Sequence, residues 1–473
     1  MKTISKLVAV VSLMCMAIFV GETCLAQDLG DPNKSQIKKT VEPENLWTRT
    51  RGDDWPAFLG INGQSKSSET GILTDWSDGK LKMLWQRETG EGYGMGSVAQ
   101  GRFYHFGLID SKATLVCVNA ETGKEIWKFA YQSDYKDLYG YDSGPRASPV
   151  IDDGRVYIYG VEGQLHCLNA YSGEPIWNIN LSKRFAVIQN FFGVASTPVV
   201  YEDLLLVMVG GSPNESKKAP PGALDQVQPN GSGIVGLDKV TGKIKFQCVD
   251  DLASYSSLKL SQLEGQPILL AFMRDALFGI KPGEGKVAFR FPWRAKKLES
   301  VNAAMPIAIE DDHVLITECY EKGAALLKFS NLKPELVWSD QGKRDVALKS
   351  HWCTPILAGD VMYGCSGRNP GTSQLRCVDW KTGQVKWSKS GLGRSSLAMV
   401  DGHLIVLGEK GELMLIKQNQ NKFELVTKYQ PGPSGGGVKF QEPCWAAPII
   451  SHGLLLVRGK KTIACFDLIP QAK

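Results

Sequence analysis

The chain of 473 residues lacks the short signatures that mark most enzyme active sites. It has no phosphate-binding glycine-rich loop, no HExxH zinc motif, no CxxC pair and no nucleophile elbow. Its six histidines are dispersed, and His313, His403 and His452 fall in predicted tight turns, so a shared metal site is not expected. Only His351 is placed to do chemistry, and the catalytic residues stay unknown.

The chain also has no marked excess of positive or negative charge. The net charge is only +5 and no cluster of Lys or Arg occurs, which argues against a nucleic-acid partner. Beyond the N-terminus no apolar run is long enough for a transmembrane segment. We therefore expect a protein that binds neither nucleic acid nor membrane core, and we expect it to be a monomer.

The N-terminus has the pattern of an export signal. Two lysines precede the apolar run 7–20, and small residues follow near Ala26. We predict a signal peptide over 1–26, cleaved after Ala26, and a periplasmic or secreted protein. A lipoprotein site at Cys24 is a weaker alternative, because Glu22 fits that pattern poorly. Residues 27–50 are polar and predict a flexible leader.

A repeated unit occupies most of the remaining sequence. Residues 145–177 and 352–387 carry the same order of small residue, Pro, alternating apolar run, tight turn and second apolar run. A third run then ends in Asn or Asp, two variable positions, Thr or Ser, and Gly, as in 119–123. That spacing favours a hairpin whose Gly takes positive φ. A fourth run ends in a large aromatic residue, which we interpret as packing between neighbouring units.

Counting these units predicts one all-β domain over 51–473. The period of 40 to 50 residues with four strands per unit indicates an eight-bladed β-propeller of four-stranded antiparallel blades. The eighth unit has only three strands before the chain ends. Residues 81–87 contain Trp85 at the expected aromatic position without inner strands before it. We predict that this N-terminal strand completes the last blade and removes an exposed sheet edge.

Nine cysteines remain after the predicted cleavage. Four of them, Cys117, Cys167, Cys377 and Cys465, take the same third-strand position. We interpret these as small buried core residues. The odd number leaves disulfide pairing open.

Long segments fall on one predicted face of the ring. The tight turns join strands one to two and three to four, whereas the longer loops connect blades or join strands two to three. The latter include 128–144, 178–194, 210–233 and 430–444. Long loops on a rigid scaffold carry binding more often than they reflect tolerated drift.

The mouth of the central channel lies where the inner strands begin on that face. Aligning the units there predicts a ring of aromatic, cationic and amide side chains that could hold a planar, anionic or sugar-like ligand. The alternative is that the Trp residues plug the channel and the Arg residues pair with loop carboxylates. The candidate ligand- or cofactor-binding residues are Tyr141, Arg146, Phe192, Asn302, His351, Trp352, Arg394 and Trp445.

The repeat resembles a known family. LHCLNAYSGEPIW (165–177) is similar to the repeat of PQQ-like β-propellers, shared by quinoprotein dehydrogenases and by BamB, the scaffold lipoprotein of outer-membrane protein assembly. WPAFLGINGQS (55–65), the stretch 285–307, GAALLKFS (323–330) and 377–407 look like a large group of secreted bacterial PQQ-like propellers of unassigned activity.

The resemblance implies two classes of function. The first is a binding or scaffold propeller that presents its loop-rich face and channel mouth to a protein or a glycan, with no cofactor. The second is a PQQ- and Ca²⁺-dependent oxidoreductase of alcohols or sugars, with Asn302 as a weak Ca²⁺ ligand. The dehydrogenases carry an adjacent Cys pair and Glu, Asn and Asp ligands to Ca²⁺. This chain has no adjacent Cys pair, and its Glu and Asp positions do not match. A polysaccharide hydrolase or lyase is a third, less supported possibility.

Overall fold

The computed structural model describes residues 44–430 and 437–470. The predicted signal peptide and residues 27–43 of the predicted leader lie outside these described residues. Within them, none of the helices is long and apolar enough to cross a membrane.

The described residues form 32 short strands with very little helix. In chain order the strands are β1 Met83–Glu88, β2 Ser97–Ala99, β3 Arg102–Ile109, β4 Lys112–Asn119, β5 Glu125–Gln132, β6 Val150–Asp152, β7 Arg155–Tyr159, β8 Gln164–Asn169, β9 Pro175–Asn180, β10 Val199–Tyr201, β11 Leu204–Met208, β12 Ile234–Asp238, β13 Ile244–Cys248, β14 Lys259–Leu263, β15 Gln266–Phe272, β16 Ala276–Lys281, β17 Lys286–Pro292, β18 Ile307–Ile309, β19 His313–Thr317, β20 Ala324–Ser330, β21 Lys333–Ser339, β22 Ile356–Ala358, β23 Val361–Ser366, β24 Gln374–Asp379, β25 Val385–Ser390, β26 Ser396–Val400, β27 His403–Leu407, β28 Leu413–Lys417, β29 Leu425–Lys428, β30 Ile449–Ser451, β31 Leu454–Arg458 and β32 Thr462–Asp467. The helical turns are α1 Leu181–Arg184 and the 3₁₀ segments Ser77–Gly79, Asn214–Lys218 and Leu224–Gln226.

These strands form eight four-stranded antiparallel sheets, and the predicted eight-bladed propeller is confirmed. Seven blades use four consecutive strands, from β2–β5 to β26–β29. The eighth has the order β1-β32-β31-β30, with Trp85 opposite Cys465. The N-terminal strand therefore completes the last blade as predicted, and β32 is paired on both sides like the third strand of every other blade.

The repeated turn of one blade and the outer aromatic residue of the preceding blade meet in the same contact. The Asn119 side-chain oxygen accepts hydrogen bonds from the backbone of Glu121 and Thr122, and Gly123 takes φ 69°. The Trp85 ring of the preceding blade packs over Gly123, where a Cβ would stand 2.7 Å from the ring. The Trp85 indole N–H donates to the carbonyl of Ala120 at 2.9 Å. Each such contact fixes one blade against the next.

Apolar side chains from the middle strands make the core between blades. They are fully buried, as in Leu115, Leu205, Leu270 and Leu404. The nine cysteines of the described residues are all free thiols, and all but Cys248 are buried. The core interpretation of the repeated cysteines agrees with this placement.

The last part of the predicted leader packs on the ring. Thr48 donates its backbone N–H and its hydroxyl to Glu121, at 2.7 and 2.6 Å. Arg49 pairs with Asp467 at 2.8 Å, and Trp47 stacks on His452 with ring centroids 4.0 Å apart. Residues 44–50 are thus attached to the propeller, whereas composition alone predicts a flexible segment there.

Residues 55–67 lie inside the ring and block its central channel. Hydrogen bonds tie this segment to the inner strands of blades one, two, four and seven. The bonds join Trp55 to Val98, Pro56 to Ile151, Asn62 to Lys259 and Ser65 to Leu397. One short segment reaches all four strands only because it crosses the channel, so we name it the plug.

Candidate functional site

Seven of the eight predicted site residues line one cavity of about 340 Å³ on the long-loop face. They are Tyr141, Arg146, Phe192, His351, Trp352, Arg394 and Trp445. All of them lie in loops that connect one blade to the next. We call this cavity the aromatic cup.

Aromatic rings form a nearly continuous wall around the cup. The ring centroids of Trp352 and Trp445 are 4.4 Å apart, and His351 meets Trp352 edge-on at 4.4 Å. On the other side, Tyr141 lies 6.5 Å from Trp445 and 6.0 Å from Phe192. Because each ring is packed against its neighbours, the wall is set before any ligand arrives.

Arg394 is held between the two tryptophans. Its guanidinium lies 4.7 Å from the centroid of Trp352 and 5.1 Å from that of Trp445. Glu409 accepts hydrogen bonds from its Nε and Nη2 and from the Trp445 indole N–H, the last at 2.9 Å. Burial alone would raise the pKa of Glu409, but the hydrogen bonds from Arg394 lower it below its ordinary value. The pair is therefore ionised, and its charges are compensated within the protein.

Arg146 is held in the same way on the opposite wall. Its Nη2 pairs with Asp137 at 2.7 Å, where the Asp137 side chain is 1% exposed. Its other bonds go to the carbonyls of Gly144 and Asp142. Phe192 lies 5.9 Å from the guanidinium. The alternative weighed from the sequence, in which the arginines pair with loop carboxylates, describes both Arg146 and Arg394.

Two further polar groups remain at the rim. Arg368 lies 4.6 Å from the Tyr320 ring centroid and meets the exposed Glu299 only at 3.6 Å. His351 approaches the Tyr320 hydroxyl at 3.4 Å through Nε2, and its Nδ1 has no hydrogen-bond partner among the described residues. Burial, reinforced by Arg394 and Arg368, lowers the pKa of His351 to about 3. The imidazole is therefore neutral at physiological pH.

The plug supplies the floor of the cup. Phe58 and Leu59 line the cavity from the channel side, and Leu59 is buried. The plug therefore separates the cup from the part of the channel that lies beneath these two residues.

Asn302 is not brought into the cup. It is buried behind blade four, where its amide nitrogen donates to the carbonyls of Met273, Arg274 and Trp293 at 2.7 to 3.3 Å. Its sequence position before the inner strand is that expected of a mouth residue. The side chain instead turns inward, because three converging carbonyls satisfy its donors.

The donor set of the cup does not fit Ca²⁺. Ca²⁺ requires six to eight oxygen ligands, with carboxylates prominent among them. None of the described residues that line the cup is Asp or Glu, and three arginines lie there. Glu409, directly behind the wall, is engaged by Arg394. The described lining residues therefore do not supply the ligands that a Ca²⁺-bound quinone would need.

Sequence alignment of the repeats missed several lining residues. Tyr255 precedes the inner strand of the least regular blade, and Tyr320 and Arg368 lie in loops between strands two and three. Their positions shift with loop length, so no repeat register identifies them. Phe58 and Leu59 belong to the plug, which has no counterpart in the repeat.

Comparison with known proteins agrees with this architecture. The family model described as outer membrane protein assembly factor BamB matches residues 111–389. The crystal structure of BamB from Moraxella catarrhalis superposes with a TM-score of 0.55 at 11% identity, covering 83% of this chain and 99% of that one. Quinohemoprotein alcohol dehydrogenase from Comamonas testosteroni gives 0.49 at 14% identity, covering 89% and 81%. No curated protein matches the sequence. Because the family model covers more than half of the sequence, this chain belongs to the BamB family of PQQ-like β-propellers.

Proposed function

We propose that this chain is an exported, non-catalytic binding propeller whose aromatic cup receives an apolar side chain of a protein partner. The observation that carries the proposal is a preformed aromatic wall whose cations are already paired. Such a wall offers rings for stacking and few free charges for a multiply charged ligand. The predicted signal peptide supports export, and the family description as an outer-membrane-protein assembly factor supports a protein partner.

Exposed residues extend the binding surface beyond the cup. Tyr139 and Tyr141 are more than half exposed, and Leu138 is 44% exposed on the same loop. Tyr139 lies 5.7 Å from both Phe191 and Phe192. Aromatic anchors surrounded by less critical contacts are typical of protein interfaces. The cup and this aromatic ridge together form one surface suited to an extended segment with one or two large apolar side chains.

The oxidoreductase alternative has less support from the geometry. It needs carboxylate ligands at the cup, and the described lining residues supply none. A glycan that stacks its C–H face on the same rings is the other ligand class, and the experiment below distinguishes it.

Peptide display on the immobilised protein tests the proposal. Peptides are selected on the wild type and counter-selected on Tyr141→Ala, whose exposed ring is removable without loss of core packing. We expect enriched peptides to share an aromatic or large aliphatic anchor and to bind Tyr141→Ala at least about tenfold more weakly. Ile126→Ala, on the outer strand β5, is the matched control, because Ile126 is 41% exposed and distant from the loops.

Two results would overturn the proposal. One is a selection in which no peptide discriminates between wild type and Tyr141→Ala. The other is a neutral disaccharide that binds the cup directly, with an affinity that falls in Tyr141→Ala while no peptide is retained.

A further inference from the structure

A second cavity opens on the long-loop face, beside the cup. It measures about 440 Å³ and lies among the loops of blades one, two and three. Its lining includes Tyr131, Tyr135, Glu162, Asn190 and Ser196. We call it the polar cavity. Ala195 lines both cavities, so the two are neighbours separated by a thin wall.

The polar cavity contains buried groups without hydrogen-bond partners. Among the described residues, none partners the hydroxyls of Tyr135 and Ser196. The Tyr131 hydroxyl and the Glu162 carboxylate lie beside each other and interact. Ser196 is only 2% exposed, so its hydroxyl is not satisfied by bulk solvent. A buried polar group left without a partner costs about 1–3 kcal/mol. Two such hydroxyls lining one cavity, close to a buried carboxylate, indicate a place where the partners come from outside the chain.

Gly160, which has no side chain, leaves room for the Tyr131 hydroxyl and the Glu162 carboxylate to lie close together. A Cβ added at Gly160 would stand 2.1 Å from the Tyr131 hydroxyl and 2.8 Å from Glu162 Oε1. Only glycine fits there, because any side chain would push the tyrosine or the carboxylate away. The Glu162 carboxylate is held on its other side by the Ser133 hydroxyl, at 3.3 Å.

The chemistry of the lining selects a class of ligand. Amide and hydroxyl side chains make up most of the polar lining, apolar residues such as Ile188 and Leu252 line the rest, and the tyrosine rings add flat faces. Such groups exchange hydrogen bonds with a ligand that donates and accepts at many positions. A single buried carboxylate accepts from two hydroxyls, whereas a metal ion needs several oxygen ligands. Asp134 and Lys183 also line the cavity, and their opposite charges offset each other there.

We propose that the polar cavity is a binding site for a neutral saccharide unit. Glu162 accepts from a pair of sugar hydroxyls, Ser196 and Tyr135 complete the hydrogen bonds, and the rings of Tyr131 and Tyr135 border the sugar. The cavity volume lies within the range of ordinary small-molecule sites. The site is distinct from the cup, and it does not depend on the protein partner proposed there.

Titration of the full-length mature protein with four neutral disaccharides tests this assignment. Cellobiose, lactose, trehalose and N,N′-diacetylchitobiose are screened by saturation-transfer NMR and measured by calorimetry, up to roughly tens of millimolar. We expect at least one to bind, and about tenfold weaker binding in Ser196→Ala and in Glu162→Gln. Ser196→Ala removes a hydroxyl that has no partner within the described residues, and Glu162→Gln keeps an acceptor oxygen for the Ser133 hydroxyl, so folding is retained. Ile126→Ala, on the outer strand β5, is the control and leaves the saccharide affinity unchanged.

Other outcomes would overturn the proposal. Failure of all four sugars to bind would reduce the cavity to a hydrated pocket, as would a crystal structure showing ordered water only in a sugar soak. Binding that is lost in Tyr141→Ala and kept in Ser196→Ala would place the sugar in the cup. Binding of spermidine, but of none of the sugars, would assign the carboxylate to a cation.

Discussion

The two cavities on the long-loop face differ in how their polar groups are satisfied. In the aromatic cup, Arg394 and Glu409 satisfy each other and leave rings facing the opening. In the polar cavity, the hydroxyls of Tyr135 and Ser196 are left without a partner among the described residues. The same scaffold therefore presents a self-contained apolar surface and, beside it, a surface that needs polar partners.

This contrast originates in the loops. Loop 128–144 contributes to both cavities, with Tyr141 in the cup and Tyr135 in the polar cavity. The blades beneath are nearly equivalent, since each turn and each outer aromatic residue repeats the same contact. Blade repetition supplies rigidity, and the non-repeating segments supply the chemistry.

The largest expected effect is the loss of both cavities together. Deleting residues through 90 removes β1, exposes the edge of β32, and removes the buried Trp76 and Trp85. We expect this chain to aggregate, because an open sheet edge pairs with other chains. Size-exclusion chromatography with light scattering checks the result. A monomeric truncated protein that is as stable as the intact one would refute the closing role of β1.

A shorter deletion should abolish binding at the cup and leave the polar cavity intact. Removing residues through 70 keeps β1 but removes the plug, including the buried Trp55 and Leu59. We expect a folded ring destabilised by roughly 5–10 kcal/mol, from the loss of these two side chains. The cup loses its floor and its peptide binding, while the polar cavity keeps its lining. Equal loss of sugar and peptide binding would show that the plug supports the whole face.

The repeat predicted the fold closely because its signals are local. The Asn119–Gly123 turn and the outer Trp85 are encoded within a few residues, and counting them gives the blades and the closing strand. The same register placed Trp352 and Trp445 at the channel mouth, where their rings meet. Asn302 takes the register position of His351, one residue further upstream, but its amide is bound by carbonyls that no pattern in the sequence indicates.

The remaining features depend on contacts between distant segments. Residues 55–67 carry no repeat, so their place in the channel could not be derived from periodicity. The pairing of Arg394 with Glu409 requires two loops to meet, although both residues are visible in the sequence. The polar cavity is likewise assembled from three blades, and its unpartnered groups are recognisable only once the loops are folded.

Removing one carboxylate from each cavity should give opposite results. Glu409→Gln leaves Arg394 without a counter-charge between two tryptophans, and we expect about 3 kcal/mol of destabilisation at pH 7. Glu162→Gln removes a charge whose pKa is raised by burial, so we expect no loss or a gain of up to about 1 kcal/mol. Urea unfolding of the two variants and the wild type measures both. Similar losses in both variants would abolish the distinction between the cavities.

Acidification should remove the stability contributed by His351 in the cup and should relieve the cost of burying the Glu162 charge in the polar cavity. The His351 pKa is about 3 in the folded chain, below its ordinary value of 6.5, so the unfolded chain binds more protons between these limits. The His351 contribution is therefore complete above about pH 6.5 and is lost as the pH falls toward 3. Glu162 has a raised pKa, so its penalty is relieved in the same direction.

The substitution His351→Phe isolates the contribution of the histidine to this pH dependence of stability. We expect the variant to lose about 2 kcal/mol less stability than the wild type between pH 7 and pH 5, from 1.5 pH units at about 1.36 kcal/mol each. Urea unfolding at the two pH values gives the difference, and Glu162→Gln serves as the control with its histidine intact. Parallel pH profiles for His351→Phe and the wild type would mean that His351 takes up its proton as readily in the folded cup as in the unfolded chain. Below about pH 6.5 the cup would then carry a positive charge near Arg394, and the neutral aromatic surface proposed for an apolar partner would not hold at those pH values.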